Sequence, residues 1–222
     1  IFNKLSTFPS CGKKFCSFFI KGSYKFLMDI IYNNQLHSFA TSLIGKIQIK
    51  NLLMAIASSN NVNLPIKKVI KIIGKIKPVH GRLEEVGKLK NNSKIILDYA
   101  HTPDALMTCL KNLREQFKVS KINIVFGCGG ERDKSKRKMM GKIASDLCNK
   151  IYLTDDNPRK ENPKKIRFQI KNKIDKRKLI EIPSRKKAIS RAIQDLCSGD
   201  ILLVAGKGHE NYQEYSTKKL FS

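Results

Sequence analysis

The 222-residue sequence lacks several things, and each absence narrows what it can be. No apolar run is long enough to span a bilayer. The most apolar windows, SKIILDYA and GDILLVAGKG, are brief and bounded by Gly, Lys or Asp, as buried strands are. No secretory signal opens the chain, because IFNKLSTFPSCGKKFCSFFIKG is broken by charges and Pro. The six cysteines, Cys11, Cys16, Cys109, Cys128, Cys148 and Cys197, form no CxxC pair and have no His partner at metal-ligand spacing. No protein-bound metal site is therefore expected, and scattered free thiols point to the reducing cytoplasm. There is no GxxxxGK[ST], so no stretch cradles β and γ phosphates or places Mg²⁺ through a Ser or Thr hydroxyl. Acids are scarce as well: 18 Asp and Glu face 44 Lys and Arg, a net charge of +26.

That charge admits two readings. Polyanion binding depends on Lys and Arg meeting phosphates, and a basic nucleic-acid-binding protein is one alternative. The basic residues are spread along the whole length, however, and only nine are Arg. Ile and Asn, which like Lys have codons rich in A and T, are also abundant. Compositional drift accounts for this pattern, so no specific nucleic acid and no membrane are expected as partners. The chain begins with Ile rather than Met, and coding sequence upstream is expected.

Residues 1 to about 40 read as irregular, with a hairpin near YNNQLHS where Asn33 and Asn34 make the turn. In the segment that follows, Leu52, Leu53, Ile56 and Ala57 form an apolar helical face. Asn60 and Asn61 end that helix, and Pro65 opens a second. KPVHGRLEEVGKLKNNSK reads as an interdomain connection. From Lys94 the rhythm changes. Strands KIILDYA, KINIVFGCGG, KIYLT, KLIEIP and DILLVAG alternate with helices TPDALMTCLKNLREQF, KRKMMGKIASDLCNK, PKKIRFQIKNKI and SRKKAISRAIQDLCS. Apolar strands alternating with helices predict an α/β fold with a mostly parallel sheet covered on both faces. Ligands gather beyond the carboxyl ends of such strands. The polar motifs DYAHTPD, GCGGERDKSKR, TDDNPR and AGKGHE all fall there.

TDDNPRKENP (154–163) is the most unusual of these. Acids, amide and Pro suit a strand-to-helix turn, which leaves Arg159 unexplained. A carboxylate, an amide and a guanidinium within four residues are also the groups that grip a zwitterionic amino acid.

Taken together, DYAHTPDAL, FGCGGERDKSKR, TDDNPR and LLVAGKGHENYQ resemble the C-terminal half of a Mur ligase, with the likeness running from about Leu43 to about Tyr215. The resemblance implies an ATP-dependent amide-bond ligase of peptidoglycan precursor synthesis. Residues 1–88 would be the tail of the central ATP-binding domain, and 89–222 a Rossmann-like, amino-acid-binding domain. DNPR is the motif of members that add meso-diaminopimelate to UDP-MurNAc-L-Ala-D-Glu through an acyl phosphate. It implies that Arg159 pairs with the distal carboxylate, with Asp156, Asn157 and Pro158 beside it. Arg132 would be a second carboxylate ligand, and Gly206 and Glu210 would complete the pocket around the distal amine. A surface ion pair is the alternative for Arg132 and Glu210.

By the same resemblance Asn51, Arg82, Asp98 and His101 approach the nucleotide, with Arg82 catalytic in neutralising the transferring phosphoryl group. A local hydrogen bond at the helix start is the alternative for His101, and Lys207 reads as a solvated lysine without a role. Gln48 stands where the family has Asn. ATP and Mg²⁺ are the implied cofactors, Mg²⁺ held mostly by parts this chain lacks, and a monomer is expected. Another ligase of the superfamily, like folylpolyglutamate synthetase, remains an alternative.

Overall fold

The computed structural model describes residues 15–16, 20–21, 26–33, 35–62, 64–216 and 218–221. The chain divides into two compact units, Ile1–Pro78 and Val79–Ser222.

In the first unit, β1 (Phe15–Cys16), β2 (Ile20–Lys21) and β4 (Gln35–Thr41) pair antiparallel with β3 (Phe26–Tyr32). The β3–β4 hairpin pairs Tyr32 with Gln35 and has Asn33 at φ 48°, in keeping with the expected turn, while Asn34 lies outside the described residues. The strands flanking it correct the expectation of irregular structure up to about residue 40. Met28 and Ile30 point into the core while Asp29 between them stays partly exposed, a period-two pattern too short to stand out among basic and aromatic neighbours. Helix α1 (Lys46–Asn61) adds Leu52, Leu53 and Ile56 to that core, and α2 (Ile66–Ile73) begins after Pro65 as its sequence requires.

The second unit contains β5 (Glu84–Lys88), β6 (Lys94–Asp98), α3 (Pro103–Gln116), β7 (Ile122–Phe126), α4 (Ser135–Leu147), β8 (Lys150–Leu153), α5 (Pro163–Lys171), β9 (Leu179–Glu181), α6 (Arg185–Gln194), β10 (Ile201–Ala205), β11 (Tyr212–Tyr215) and β12 (Lys218–Phe221). Every strand and helix read from Lys94 to Gly206 is there. Thr102, Asn162 and Ser184 start α3, α5 and α6 by accepting a backbone N–H from within the first turn.

The sheet order is β5-β6-β10-β7-β8-β9, parallel throughout except at β5. β5 lies in the stretch expected to be a connection. Its polar sequence, EEVGK, hides a strand because an edge strand needs no apolar run. That pairing puts Glu84–Lys88 in the second unit, which begins at Val79, ahead of the 88/89 division read from the sequence.

Right-handed crossovers then assign the helices. The steps β6→β7→β8→β9 run one way across the sheet and place α3, α4 and α5 on one face. The return step β9→β10 places α6 on the other, where Ala188, Ala192 and Leu196 pack on Val125, Tyr152, Leu202 and Val204. β10 thus sits where the winding reverses, between β6 and β7, and the four strands whose loops carry the polar motifs are neighbours.

Cys109, Cys128 and Cys148 are buried, and burial pushes their thiols up, those of Cys128 and Cys148 to about 12, whereas Cys197 is exposed. Native chain treated with a thiol reagent at pH 8 is expected to be labelled at Cys197 and to protect these three until denaturant is added. Peptide mass mapping reads the result, and rapid native labelling of Cys128 contradicts this packing.

Candidate functional site

The site is built where the ends of β6, β10, β7 and β8 meet. Close approach of their loops depends on two glycines without side chains. A Cβ on Gly127 would stand 2.3 Å from the Thr154 carbonyl oxygen, and one on Gly130 would stand 1.9 Å from that of Pro158. The loop after β7 therefore lies directly against the Thr154–Pro158 segment, and Gly130 donates its N–H to the Asn157 carbonyl at 2.8 Å.

Asp155, Asp156, Asn157 and Pro158 are all buried, an unusual fate for two acids and an amide. Most of their polar groups are matched; among the described residues the Asp156 carboxylate has only Lys207, at 3.8 Å. Asp155 pairs with Arg167 and accepts the Tyr215 hydroxyl at 3.0 Å. The Gln213 side-chain amide donates to the carbonyls of Asp155 and Asp156. Asn157 Oδ1 accepts from Lys207 Nζ at 2.8 Å and from the Glu214 N–H at 3.0 Å.

Arg159 follows in the left-handed region, φ 51°, held there because its N–H bonds the Glu214 carbonyl and its own carbonyl accepts from Ser216. Its Nη1 donates to the Gly130 carbonyl at 2.8 Å and its Nε pairs with Glu214 at 3.2 Å. The Nη2 edge makes no hydrogen bond among the described residues. Arg132 is exposed and approaches from the same side of Gly129: a Cβ there would meet Arg159 Nη1 at 3.0 Å and Arg132 Cγ at 3.9 Å.

Opposite this loop, Gly206 turns at φ 106° over the Asp156 carboxylate, and Glu210 faces Asn157 Nδ2 at 3.5 Å. The structure therefore gathers Arg132, Asp156, Asn157, Pro158, Arg159, Gly206 and Glu210 at one place. Glu210 is partly exposed and ion-paired, but its partner is the buried Lys207, and it also accepts from the Tyr99 hydroxyl at 3.2 Å.

Of the residues expected near the nucleotide, Arg82, Asp98 and His101 lie together about Tyr99 in the second unit. Asn51 is exposed on α1 in the first unit. Arg82 lies with its guanidinium 4.6 Å above the Tyr99 ring. Asp98 is buried, and its two carboxylate oxygens accept the N–H groups of Leu83 and Ala100, each at 2.8 Å, so it organises the end of β6. Burial raises its pKa, partly offset by those two bonds. His101 makes the local bond, Nδ1 to the Tyr99 carbonyl at 2.9 Å.

Sequence reasoning missed Lys207, Arg137 and Arg185. Lys207 is 3% exposed, not solvated. Its available signal was a Gly-Lys-Gly directly after a wholly buried strand. Arg185 is buried at the start of α6 and donates to the Ala205 carbonyl at 2.8 Å. Arg137, 0% exposed, forks onto Glu161 through two 3.0 Å contacts and also reaches the Gly129 carbonyl. It locks α4 to the end of the Arg159 loop. This pairing holds the Glu161 carboxyl down, to about 2.

A depressed carboxyl stabilises the fold above its unfolded pKa and loses that contribution as pH falls through the folded value. Glu161→Gln is expected to destabilise the chain by about 3 kcal/mol at pH 7, because it leaves Arg137 buried without a counter-charge. Denaturant titrations of both proteins should converge between roughly pH 4.5 and pH 2; a pH-independent difference would show that the ion pair is not the cause.

Residues 81–208 match the family described as Mur ligase, glutamate ligase domain. Over 203 residues the chain is 47% identical to a UDP-N-acetylmuramoyl-L-alanyl-D-glutamate–2,6-diaminopimelate ligase of Rickettsia felis, covering 90% of this chain and 38% of that protein. A protein of the same name from Buchnera aphidicola is 42% identical over 182 residues, 80% of this chain and 35% of its own length. A solved structure of a ligase of that name superposes with a TM-score of 0.72 at 30% identity, over 97% of this chain and 44% of its own. A folylpolyglutamate synthase from Thermotoga maritima shares the fold, with a TM-score of 0.67 at 20% identity. This chain spans well under half the length of the curated relatives it matches. Since the matched domain takes in more than half of its residues, the chain belongs to the Mur ligase family.

Proposed function

We propose that the chain carries the amino-acid pocket, and part of the nucleotide clamp, of a cytoplasmic ligase that joins meso-2,6-diaminopimelate to UDP-MurNAc-L-Ala-D-Glu using ATP. The observation that carries this reading is the Asp156–Arg159 loop. Its guanidinium is anchored by the Gly130 carbonyl and Glu214 with the Nη2 edge left over, while Asp156 of the same loop lies under Gly206 and Glu210 faces Asn157. A cation edge and two carboxylates complement the carboxylate and ammonium at the distal end of diaminopimelate. The names borne by the relatives from Rickettsia and Buchnera support the same substrate. The free buried thiols fit a reducing compartment, and among the described residues no helix is long and apolar enough to cross a membrane.

In the full reaction ATP transfers its γ-phosphoryl group to the D-Glu γ-carboxylate, because a free carboxylate is a poor electrophile. The amine of diaminopimelate attacks the acyl carbon, phosphate leaves with the bonding pair, and the nitrogen loses a proton. Residues of this chain hold the amine donor: Arg159 and Arg132 on the distal carboxylate, Asp156 and Glu210 on the ammonium, Asn157 between them. Holding the distal end limits where the attacking amine at the other end can lie, which favours its approach to the acyl carbon. Arg82, anchored on Tyr99, is the candidate for countering phosphoryl charge. The residues present do not fit a phosphate and Mg²⁺ centre. The chain has no GxxxxGK[ST], and among the described residues no group of three or more His, Cys, Asp or Glu is placed to hold a metal ion. In this reading those parts and the UDP-sugar site lie in the further length that the relatives have.

Calorimetric titration of the chain is expected to show weak binding of meso-diaminopimelate, with no ligation on adding ATP and the UDP-dipeptide. Arg159→Ala is expected to lower that affinity about thirtyfold, equivalent to about 2 kcal/mol, and to leave the affinity for L-lysine, which has no distal carboxylate, unchanged. Equal diaminopimelate binding by wild type and variant would overturn the assignment.

A further inference from the structure

Lys207 has no place in the reading above, yet its ammonium is among the most confined groups in the second unit. Its side chain is 4% exposed and its three N–H bonds are all taken: Asn157 Oδ1 at 2.8 Å, the Tyr212 carbonyl at 2.6 Å and Glu210 Oε2 at 3.3 Å. Asp156 Oδ1 lies 3.8 Å away, and the Tyr212 ring 5.4 Å away.

Asn157 Oδ1 receives two donors, Lys207 Nζ and the Glu214 N–H, which use both its lone pairs and identify that atom as the oxygen. Only Nδ2 is left to meet a ligand, and its contact with Glu210 is long, 3.5 Å. The cation also lies between Asp156 and Glu210 and offsets their repulsion of an incoming carboxylate.

We propose that Lys207 is a positioning residue for ligand specificity. By clamping Asn157 Oδ1 it turns the Asn157 amide so that its N–H edge reads a ligand carboxylate, and it keeps the two acids beside it from excluding that carboxylate. The inference rests on the reading that the cleft takes diaminopimelate. A lysine serving only to hold the fold would affect every ligand alike, whereas this one discriminates amino acids with a distal carboxylate from those without.

The test uses the whole chain in two steps. In the ¹⁵N–¹H spectrum without ligand, the Asn157 side-chain amide pair, identified by its disappearance in Asn157→Asp, is expected to move in Lys207→Met towards the position of exposed amides. In calorimetry, Lys207→Met is expected to lose about tenfold in affinity for meso-diaminopimelate and less than about threefold for L-lysine. An unmoved amide pair, or an unchanged ratio of the two affinities, overturns the inference. Should Lys207→Met fail to fold, Asn157→Asp decides: it keeps acceptors for Lys207 and Glu214 but has no N–H edge, so full diaminopimelate affinity in that variant overturns the proposal and a tenfold loss upholds it. If wild type binds neither amino acid, the proposed function falls, while a displaced amide pair still establishes Lys207 as the clamp on Asn157.

Discussion

A cation removed from water is costly unless opposite charges or acceptors replace its hydration, and at the carboxyl edge of this sheet four cationic side chains are buried. Three of them lie beside acids, and Arg185 sits on a single carbonyl with Nη1 left unpaired among the described residues. Arg137, Arg167, Arg185 and Lys207 are each less than 5% exposed. Each has at least one partner from another segment of the chain. Arg137 binds the Gly129 carbonyl and Glu161, Arg167 binds Asp155 and Glu181, Arg185 binds the Ala205 carbonyl, and Lys207 binds Asn157, Glu210 and the Tyr212 carbonyl. Each buried charge therefore joins two stretches that the backbone alone would leave free.

The consequence for the cleft is rigidity with a defined polarity. Loops carry function because they vary, but a loop that must distinguish ligands by one carboxylate has to hold its donors within fractions of an ångström. Here the Thr154–Arg159 segment is held from several directions: by Gly130 from the β7 loop, by Gln213 and Glu214 from β11, and by Lys207 from the β10 loop. Even the left-handed backbone of Arg159 is sustained by bonds to Glu214 and Ser216. Tyr99 extends the network, with Arg82 on its ring and Glu210 at its hydroxyl, so the region proposed for nucleotide and the pocket proposed for amino acid share a side chain.

The excess of basic residues takes on a different meaning beside these pairings. A net charge of +26 is carried mostly by exposed lysines, whereas five of the nine arginines make side-chain bonds to backbone carbonyls or buried acids in this unit: Arg114, Arg137, Arg159, Arg167 and Arg185. Arginine's planar fork suits such sites, because it meets several acceptors at once while remaining charged.

The sequence by itself determined the alternation of strands and helices after Lys94, since Val- and Ile-rich runs and Thr, Asn and Ser caps are local signals that need no partner to be read. It also placed the polar motifs at strand ends, and through them the resemblance to Mur ligases. What only the tertiary structure decided depends on pairing between distant segments. β5 was illegible because EEVGK becomes a strand only when β6 lies beside it. The insertion of β10 between β6 and β7, which brings Gly206, Lys207 and Glu210 against Asp156 and Asn157, is a long-range choice that no window of sequence records. Lys207 was misread for the same reason: a lysine is solvated by default, and only the acceptors that the loops after β8 and β10 and the start of β11 assemble around it make its burial affordable.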